Sequence, residues 1–218
     1  MIKLKNLLKE VDRVLITRRS PEERRKNYII ATQKKIQQYI KDGSKGDLNL
    51  INTPITSLPD NLTKVEGDLI LSNTKIASLP NNLTVNGDLI LSNTPLTSLP
   101  DNLTVNGVLT VYNSKITALP KNLTVNVGLA LDNSKITSLP DNLKIGGFFS
   151  LENTPLTSLP DNLTVNGALF LNNTKIASLP NNLTVDGGLD LSNTPISKKY
   201  TYDQLKKMLP GVKRDIRL

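Results

Sequence analysis

The chain has 218 residues and a net charge of +8, and it contains no Cys, no His and no Trp. Without Cys and His, disulfides, thiolate or imidazole zinc sites and Ser-His-Asp or Cys-His catalysis are excluded. The length suits one domain or one elongated repeat array, and no apolar run approaches the length of a membrane span. These limits favour binding over chemistry, so we predict that the protein is not an enzyme and uses no cofactor or metal.

The first 45 residues are basic, with 13 Lys or Arg against five Asp or Glu. The spacing of apolar residues over about residues 2–16 predicts a first helix, whose apolar face comprises Ile2, Leu4, Leu7, Leu8, Val11, Val14 and Leu15. Ser20-Pro21-Glu22-Glu23 is typical of a second helix start, with an N-cap Ser, Pro at the first position and Glu at the third. We expect the second helix to end near Asp42 and to cap the open core of a repeat array. The first helix could pack on the second, stay separate or dock on a partner.

A repeat of 20 residues occupies the middle of the chain. Leu-Pro pairs end at Pro59, Pro80, Pro100, Pro120, Pro140, Pro160 and Pro180, and only the first step is 21 residues long. The consensus unit is LPxNLTVNGxLxLxNTxIxS, and its GxLxLxNT part begins eight times between Gly46 and Gly187. A period of this kind indicates a solenoid, in which each unit buries its apolar face against its neighbours.

Each repeat unit is predicted to contain one strand. Leu89 and Leu91 alternate with polar or variable residues, which is the pattern of a strand with one buried face. Stacked units then form a parallel sheet. We expect turn or left-handed conformations at Val85-Asn86-Gly87, and a ladder of stacked side chains at Asn93-Thr94.

The segment Leu89-x-Leu91-x-Asn93-Thr94-x-Leu96-x-x-Leu99-Pro100 and its seven counterparts resemble the leucine-rich repeat family, in its shortest class of 20 residues. The expected asparagine position of that family holds Thr or Ser here, with Asn one residue earlier. Similar short repeats occur in type III secreted bacterial effectors, and the LPxNLTVNGxLxLxNT unit looks like repeat proteins of tailed bacteriophages. The resemblance implies a right-handed α+β solenoid over residues 46–197, with a parallel sheet on one face.

The last 21 residues, 198–218, are predicted to form a C-terminal cap. Thr201 and Gln204 have capping-box spacing, Leu205, Met208 and Leu209 share one helix face, and Pro210-Gly211 ends the helix. Asp215-Ile216-Arg217-Leu218 alternates like one more repeat strand. We therefore divide the chain into an N-terminal helical region (1–45), the repeats (46–197) and this helix-strand cap.

The outward strand positions are the most variable columns of a nearly copied unit, and such positions form the partner-reading surface of a solenoid. Aromatic and apolar residues edged by acids suggest an anchor patch with a polar rim. The predicted partner-binding residues are Ile70, Ile90, Val108, Thr110, Tyr112, Asp132, Phe148, Ser150, Glu152, Phe170, Asn172 and Asp190. We expect the partner to be another protein. The sequence leaves its identity and the oligomeric state open.

Two alternatives remain at this point. The basic N-terminal helices suggest binding to nucleic acid or an anionic surface, through Arg18, Arg19, Arg24, Arg25 and Lys26. The resemblance to phage proteins suggests a structural virion or assembly component. Because the N-terminus lacks an apolar segment followed by a cleavage site, we expect a cytoplasmic protein, in the host-cell cytoplasm if it is phage-encoded.

Overall fold

Successive repeats stack as coils of a parallel β-solenoid in the computed structural model, which describes residues 20–218. Each coil contributes one short strand to a nine-stranded sheet. Those strands are β1 (Leu48–Asn49), β3 (Leu69–Ile70), β5 (Leu89–Ile90), β7 (Val108–Thr110), β9 (Gly128–Ala130), β11 (Phe148–Ser150), β13 (Leu169–Phe170), β15 (Leu189–Asp190) and β16 (Ile216–Arg217). All neighbours pair in parallel, and from β3 to β15 the paired residues are 20 positions apart, whereas Leu48 pairs with Leu69 and Leu189 with Ile216 at the two ends. The predicted α+β solenoid is confirmed. The predicted helix over residues 2–16 lies outside the described residues, as do Arg18 and Arg19.

A second parallel sheet, which the repeat pattern did not indicate, runs along the solenoid. Its seven strands are β2 (Lys64–Val65), β4 (Thr84–Val85), β6 (Thr104–Val105), β8 (Thr124–Val125), β10 (Lys144–Ile145), β12 (Thr164–Val165) and β14 (Thr184–Val185). The valine or isoleucine of each strand is buried, and the residue before it is more exposed. Thr-Val is therefore a strand with one inward side chain and not part of a turn.

One apolar core lies inside the coils. Leu89 of the first sheet, Leu91 directly after its strand and Val85 of the second sheet are fully buried, and all belong to a single cluster that extends from Ile36 to Ile216. Since each coil covers the apolar surface of the next, the core is continuous along the array.

Asparagine makes the corners of the coil. Within residues 20–218, twelve asparagines have left-handed backbones with φ between 52° and 60°, among them Asn82 and Asn93. Of the turn or left-handed conformations expected at Val85-Asn86-Gly87, the left-handed one is absent, because φ is not positive at Asn86 or Gly87, while the chain does bend at these two residues. Gly87 is needed for close approach instead, since a Cβ there would lie 2.7 Å from the carbonyl carbon of Gly67 in the preceding coil.

Side-chain ladders join the coils at these corners, as the sequence analysis predicted for the Asn-Thr column. The Nδ2 of Asn93 donates to the Oδ1 of Asn73 at 3.0 Å, and that of Asn102 donates to Asn82 at 2.9 Å. The Thr94 hydroxyl donates to the carbonyl oxygen of Leu91 at 2.8 Å, which satisfies a buried backbone acceptor where the chain leaves the sheet.

The N-terminal cap is helix α1 (Pro21–Lys41), which begins and ends where the sequence predicted. The Ser20 hydroxyl accepts from the Glu23 amide at 3.2 Å, and the Glu23 carboxylate accepts from the Ser20 amide at 2.8 Å, which is a complete capping box. Ile36 packs into the end of the core. The Lys35 ammonium donates to the carbonyl oxygen of Asn49 at 2.8 Å, so it satisfies an acceptor on the edge strand β1.

The C-terminal cap closes both sheets. A 3₁₀ turn (Ile196–Lys198) leads to helix α2 (Tyr202–Met208), which has the predicted capping box between Thr201 and Gln204. Strand β16 pairs with β15, and the Lys213 amide donates to the carbonyl oxygen of Val185 on the other sheet at 2.9 Å. The predicted helix and final strand are confirmed.

Candidate functional site

The outer surface of the nine-stranded sheet, here called the strand face, consists of three columns of eight positions. They are outward because the residues that alternate with them, such as Leu89 and Leu91, are buried in the core. The first column is Asp47, Asp68, Asp88, Val108, Gly128, Phe148, Ala168 and Gly188; the middle column is Asn49, Ile70, Ile90, Thr110, Ala130, Ser150, Phe170 and Asp190; the third is Ile51, Ser72, Ser92, Tyr112, Asp132, Glu152, Asn172 and Ser192. All 12 predicted partner-binding residues lie in these columns.

Ten of those 12 residues are partly or well exposed, and Tyr112 is the most accessible aromatic among them, with 39% of its surface exposed. The expectation of an exposed position is wrong for Asp132 and Ser150, which retain only 8% and 6%. Both lie in the middle of the face beside larger side chains, and they hydrogen-bond to each other. They therefore form part of the floor of the surface.

A chain of polar contacts crosses the centre of this face. The Asp132 carboxylate accepts from the Ser150 hydroxyl and from the Glu152 amide, the latter at 2.8 Å. The Glu152 carboxylate in turn accepts from the Asn172 Nδ2 at 2.9 Å. Because Asp132, Glu152 and Asn172 are 20 residues apart, the period of the repeat brings them together in one column.

Tyr112 continues this polar chain on the preceding coil. Burial raises the pKa of its phenol above 10.0, and the negative charge of Asp132 raises the pKa further. The phenol is therefore neutral across the ordinary pH range. A neutral aromatic ring with a hydroxyl beside a carboxylate suits contacts that combine apolar area with a hydrogen bond.

The position of the Phe148 ring on the strand face depends on the absence of a side chain at Gly128. Phe148 pairs with Gly128 across β11 and β9, and a Cβ on Gly128 would lie 2.6 Å from the Phe148 Cδ1. The ring thus occupies the space above Gly128, in the repeat where Val127 stands in place of the consensus glycine. Val108, on the other side of Gly128 in register, extends the apolar surface.

The strand face carries six carboxylates and no Lys or Arg in its 24 positions. Three of these acids, Asp47, Asp68 and Asp88, accept hydrogen bonds from the backbone amide of the next coil at 2.7–2.8 Å. Asp190 lies 3.6 Å from the guanidinium of Arg217 on strand β16. The other end of the face, at Asn49, is bordered by Lys35.

Beyond Glu152, the polar chain ends in unsatisfied groups. The Asn172 Oδ1 and the Ser192 hydroxyl oxygen are buried atoms without hydrogen-bond partners, and the two residues are neighbours in the third column. Sequence reasoning identified Asn172 only by its column, because a missing partner becomes visible only in coordinates.

The alternative anion-binding residues that the structure describes are Arg24, Arg25 and Lys26, all exposed in the first turns of α1. Consecutive residues of an α-helix point about 100° apart, so these three side chains spread around the helix. The acidic Glu22 and Glu23 precede them directly. The structure therefore does not bring these cations onto one face.

Within residues 20–218, no three acidic side chains come together in a group that could hold a metal ion, and no helix is long and apolar enough to cross a membrane. A scan against protein-family models finds no match to the chain, and a search of the curated proteins finds no significantly similar relative.

Proposed function

We propose that the protein is a non-enzymatic interaction module that binds another protein through its strand face. One observation carries this proposal. The repeat units are near copies of one another except in the outward columns, and there the differences place Val108, Tyr112, Phe148 and Phe170 on three nearby coils, the first two of them on the same coil. Apolar and aromatic side chains grouped on a rigid exposed sheet, with acids beside them, are typical of protein-binding surfaces.

We further propose the repeat class, the kind of partner and the place of action. The solenoid is of the leucine-rich repeat kind, on the strength of the repeated LxLxNTxLxxLP pattern. The resemblance of that unit to repeats of tailed phages and bacterial effectors supports a role in which the chain contacts a protein of a host cell. The expected place of action is the cytoplasm.

The test is a selection of displayed random peptides on the full chain, followed by affinity measurements with three variants. Tyr112→Ala and Phe170→Ala truncate the strand face, while Tyr202→Ala truncates a tyrosine of matching exposure, 40% against 39%, on helix α2. We expect the two face variants to lose about tenfold or more in affinity, since truncated interface anchors cost about 2 kcal/mol. The Tyr202 variant should remain within about twofold of the wild type.

Selected peptides that bind the Tyr112 and Phe170 variants as tightly as the wild type would show that the strand face is not the binding surface. Circular dichroism of each variant checks that the solenoid remains folded, so that a loss of affinity is assigned to the face.

A further inference from the structure

The basic residues of the repeats lie on a different surface from the acidic residues of the strand face. All seven Lys of residues 46–197 lie outside the strand face: Lys64, Lys75, Lys115, Lys121, Lys135, Lys144 and Lys175. The strand face itself has six acids and no base in its three columns, although the chain as a whole carries +8. The partner surface is thus strongly acidic in a basic protein.

The acids are interleaved with the apolar groups of this face. Asp68 and Asp88 lie two residues before Ile70 and Ile90, which is about 6.6 Å along a strand. Asp132 follows Tyr112 by one coil, and Glu152 precedes Asn172 beside Phe170, with coils about 4.8 Å apart. An occupant that covers the apolar groups must therefore place its own side chains beside carboxylates.

Most carboxylates of the strand face accept hydrogen bonds from neutral groups of the protein. Asp132 accepts from a hydroxyl and an amide, Glu152 from a side-chain amide, and Asp68 and Asp88 from backbone amides. Within residues 20–218, Asp190 is the one acid of the face with a cation in ion-pair range, the Arg217 guanidinium. Hydrogen bonds from neutral groups leave the negative charge in place, so the face attracts cations and repels anions.

We propose that the occupant of the strand face is a basic segment of another protein, in which Lys or Arg side chains alternate with aromatic or aliphatic ones. This inference rests on the proposed function of the same surface. The apolar side chains of the segment cover Ile70, Ile90, Val108 and Phe170, while its cations reach Asp88 and Glu152. The long stems of Lys and Arg also pack along apolar surface, and their charged groups interact favourably with the ring of Tyr112.

The experiment uses the full chain and three labelled pools of synthetic peptides. The pools share degenerate aromatic and aliphatic positions and differ only in the remaining positions, which carry Lys and Arg, Ser and Gln, or Asp and Glu. Fluorescence anisotropy at low salt measures each affinity. We expect the basic pool to bind at least about tenfold more tightly than the neutral pool, and the acidic pool to bind weakest.

A matched pair of triple variants assigns the charge effect to the face. Asp88→Asn, Glu152→Gln and Asp190→Asn together remove three charges from the strand face and retain an oxygen acceptor in each side chain. Asp101→Asn, Asp141→Asn and Asp161→Asn remove the same charge from exposed positions outside it. We expect the first triple variant to lose about tenfold in affinity for the basic pool, and the second to remain within about twofold.

The outcomes separate the two proposals. A neutral or acidic pool that binds as tightly as the basic pool, with affinity lost in Phe170→Ala, overturns the inference on charge and leaves the strand face as the binding surface. Binding that survives both Phe170→Ala and the first triple variant overturns both proposals. No measurable binding of the basic pool overturns the inference on charge.

Discussion

Asparagine contributes to the coils through its left-handed backbone as well as through the hydrogen bonds of its side chain. Asn82 has φ of 57° and its Oδ1 accepts from Asn102 at 2.9 Å, so one residue turns the chain and joins two coils. Asparagine tolerates the left-handed region better than other residues with a Cβ, because its short polar side chain bonds locally. The large number of asparagines in the composition is thus a property of the coil geometry.

The neighbouring residue provides a control for this interpretation. Asn82→Ala should destabilise the solenoid by about 1–3 kcal/mol, since it combines a left-handed Ala with the loss of a ladder hydrogen bond. Asn81→Ala, an exposed position without a positive φ, should change stability by less than about 0.5 kcal/mol. Urea denaturation of both variants measures the difference. Equal midpoints would show that the corner does not depend on asparagine.

The phenol of Tyr112 predicts a sensitivity to alkaline pH. Its raised pKa means that the unfolded chain, with a pKa near 10.0, loses the proton first as pH rises. The stability that depends on this group is therefore complete below pH 10 and falls as pH rises through the higher pKa of the folded state. Urea midpoints measured against pH should fall less steeply in Tyr112→Phe than in the wild type.

The difference in tyrosinate absorbance between the wild type and Tyr112→Phe, which retains the other four tyrosines, gives a second measurement of the same group. Asp132→Asn removes the neighbouring charge and should lower the pKa of Tyr112 part of the way, because burial is the larger cause of the shift. An unchanged titration in this variant would contradict the contact between Tyr112 and Asp132.

Among the elements, the strands of the first sheet and the two caps were predictable and the second sheet was not. The pattern of Leu89 and Leu91 specifies a buried face within five residues, and Ser20-Pro21-Glu22-Glu23 specifies a helix start within four. Thr84-Val85 is too short for a period of two to be recognised. Its pairing becomes visible only when the coils are stacked, because Thr84 pairs with Thr104 through contacts 20 residues apart.

The candidate binding surface was likewise predictable from the sequence only in part. The columns that contain Tyr112 and Phe170 follow from the register of the repeat, which the sequence displays directly. The burial of Asp132 and Ser150 does not follow from register, because it depends on how neighbouring side chains lie across the sheet. The ring of Phe148 above Gly128 is another arrangement that no local pattern specifies.

The C-terminal cap should contribute to stability through the buried side of α2. Leu205 is fully buried in the end of the core, whereas Met208, on the same helix, is 42% exposed. Leu205→Ala is expected to destabilise the protein by about 2–5 kcal/mol, and Met208→Ala by less than about 0.5 kcal/mol. Thermal unfolding followed by circular dichroism compares them. A Leu205 variant as stable as the Met208 variant would mean that the cap is dispensable.

At the scale of the whole molecule, the solenoid separates stability from recognition. Stability comes from the two caps and from inward leucines and ladders that are nearly identical in each coil, while the outward columns are free to differ. The total charge of +8 likewise conceals a separation, because the strand face is acidic while the two caps are basic. Net charge is therefore a poor guide to the partner of this protein.

This architecture predicts that one complete coil can be removed. Deletion of residues 88–107 joins Gly87 to Val108, the same pair of residue types that meets at Gly107 and Val108 in the intact chain. Asp68 then takes the position of Asp88 as acceptor for the Val108 amide, and Leu69 stacks on Leu109. Every ladder continues with residues of the same type, so the shortened chain should fold cooperatively.

Deletion of residues 88–97 is the matched control, because it removes half a period. The leucine columns of the following coils would then stack on corner and turn positions, and we expect this variant not to fold. Circular dichroism and urea denaturation distinguish the two deletions. Because Tyr112, Phe148 and Phe170 lie after the deleted coil, the shortened chain should also retain peptides that bind this part of the strand face. A complete-coil deletion that unfolds would show that the coils depend on contacts beyond their nearest neighbours.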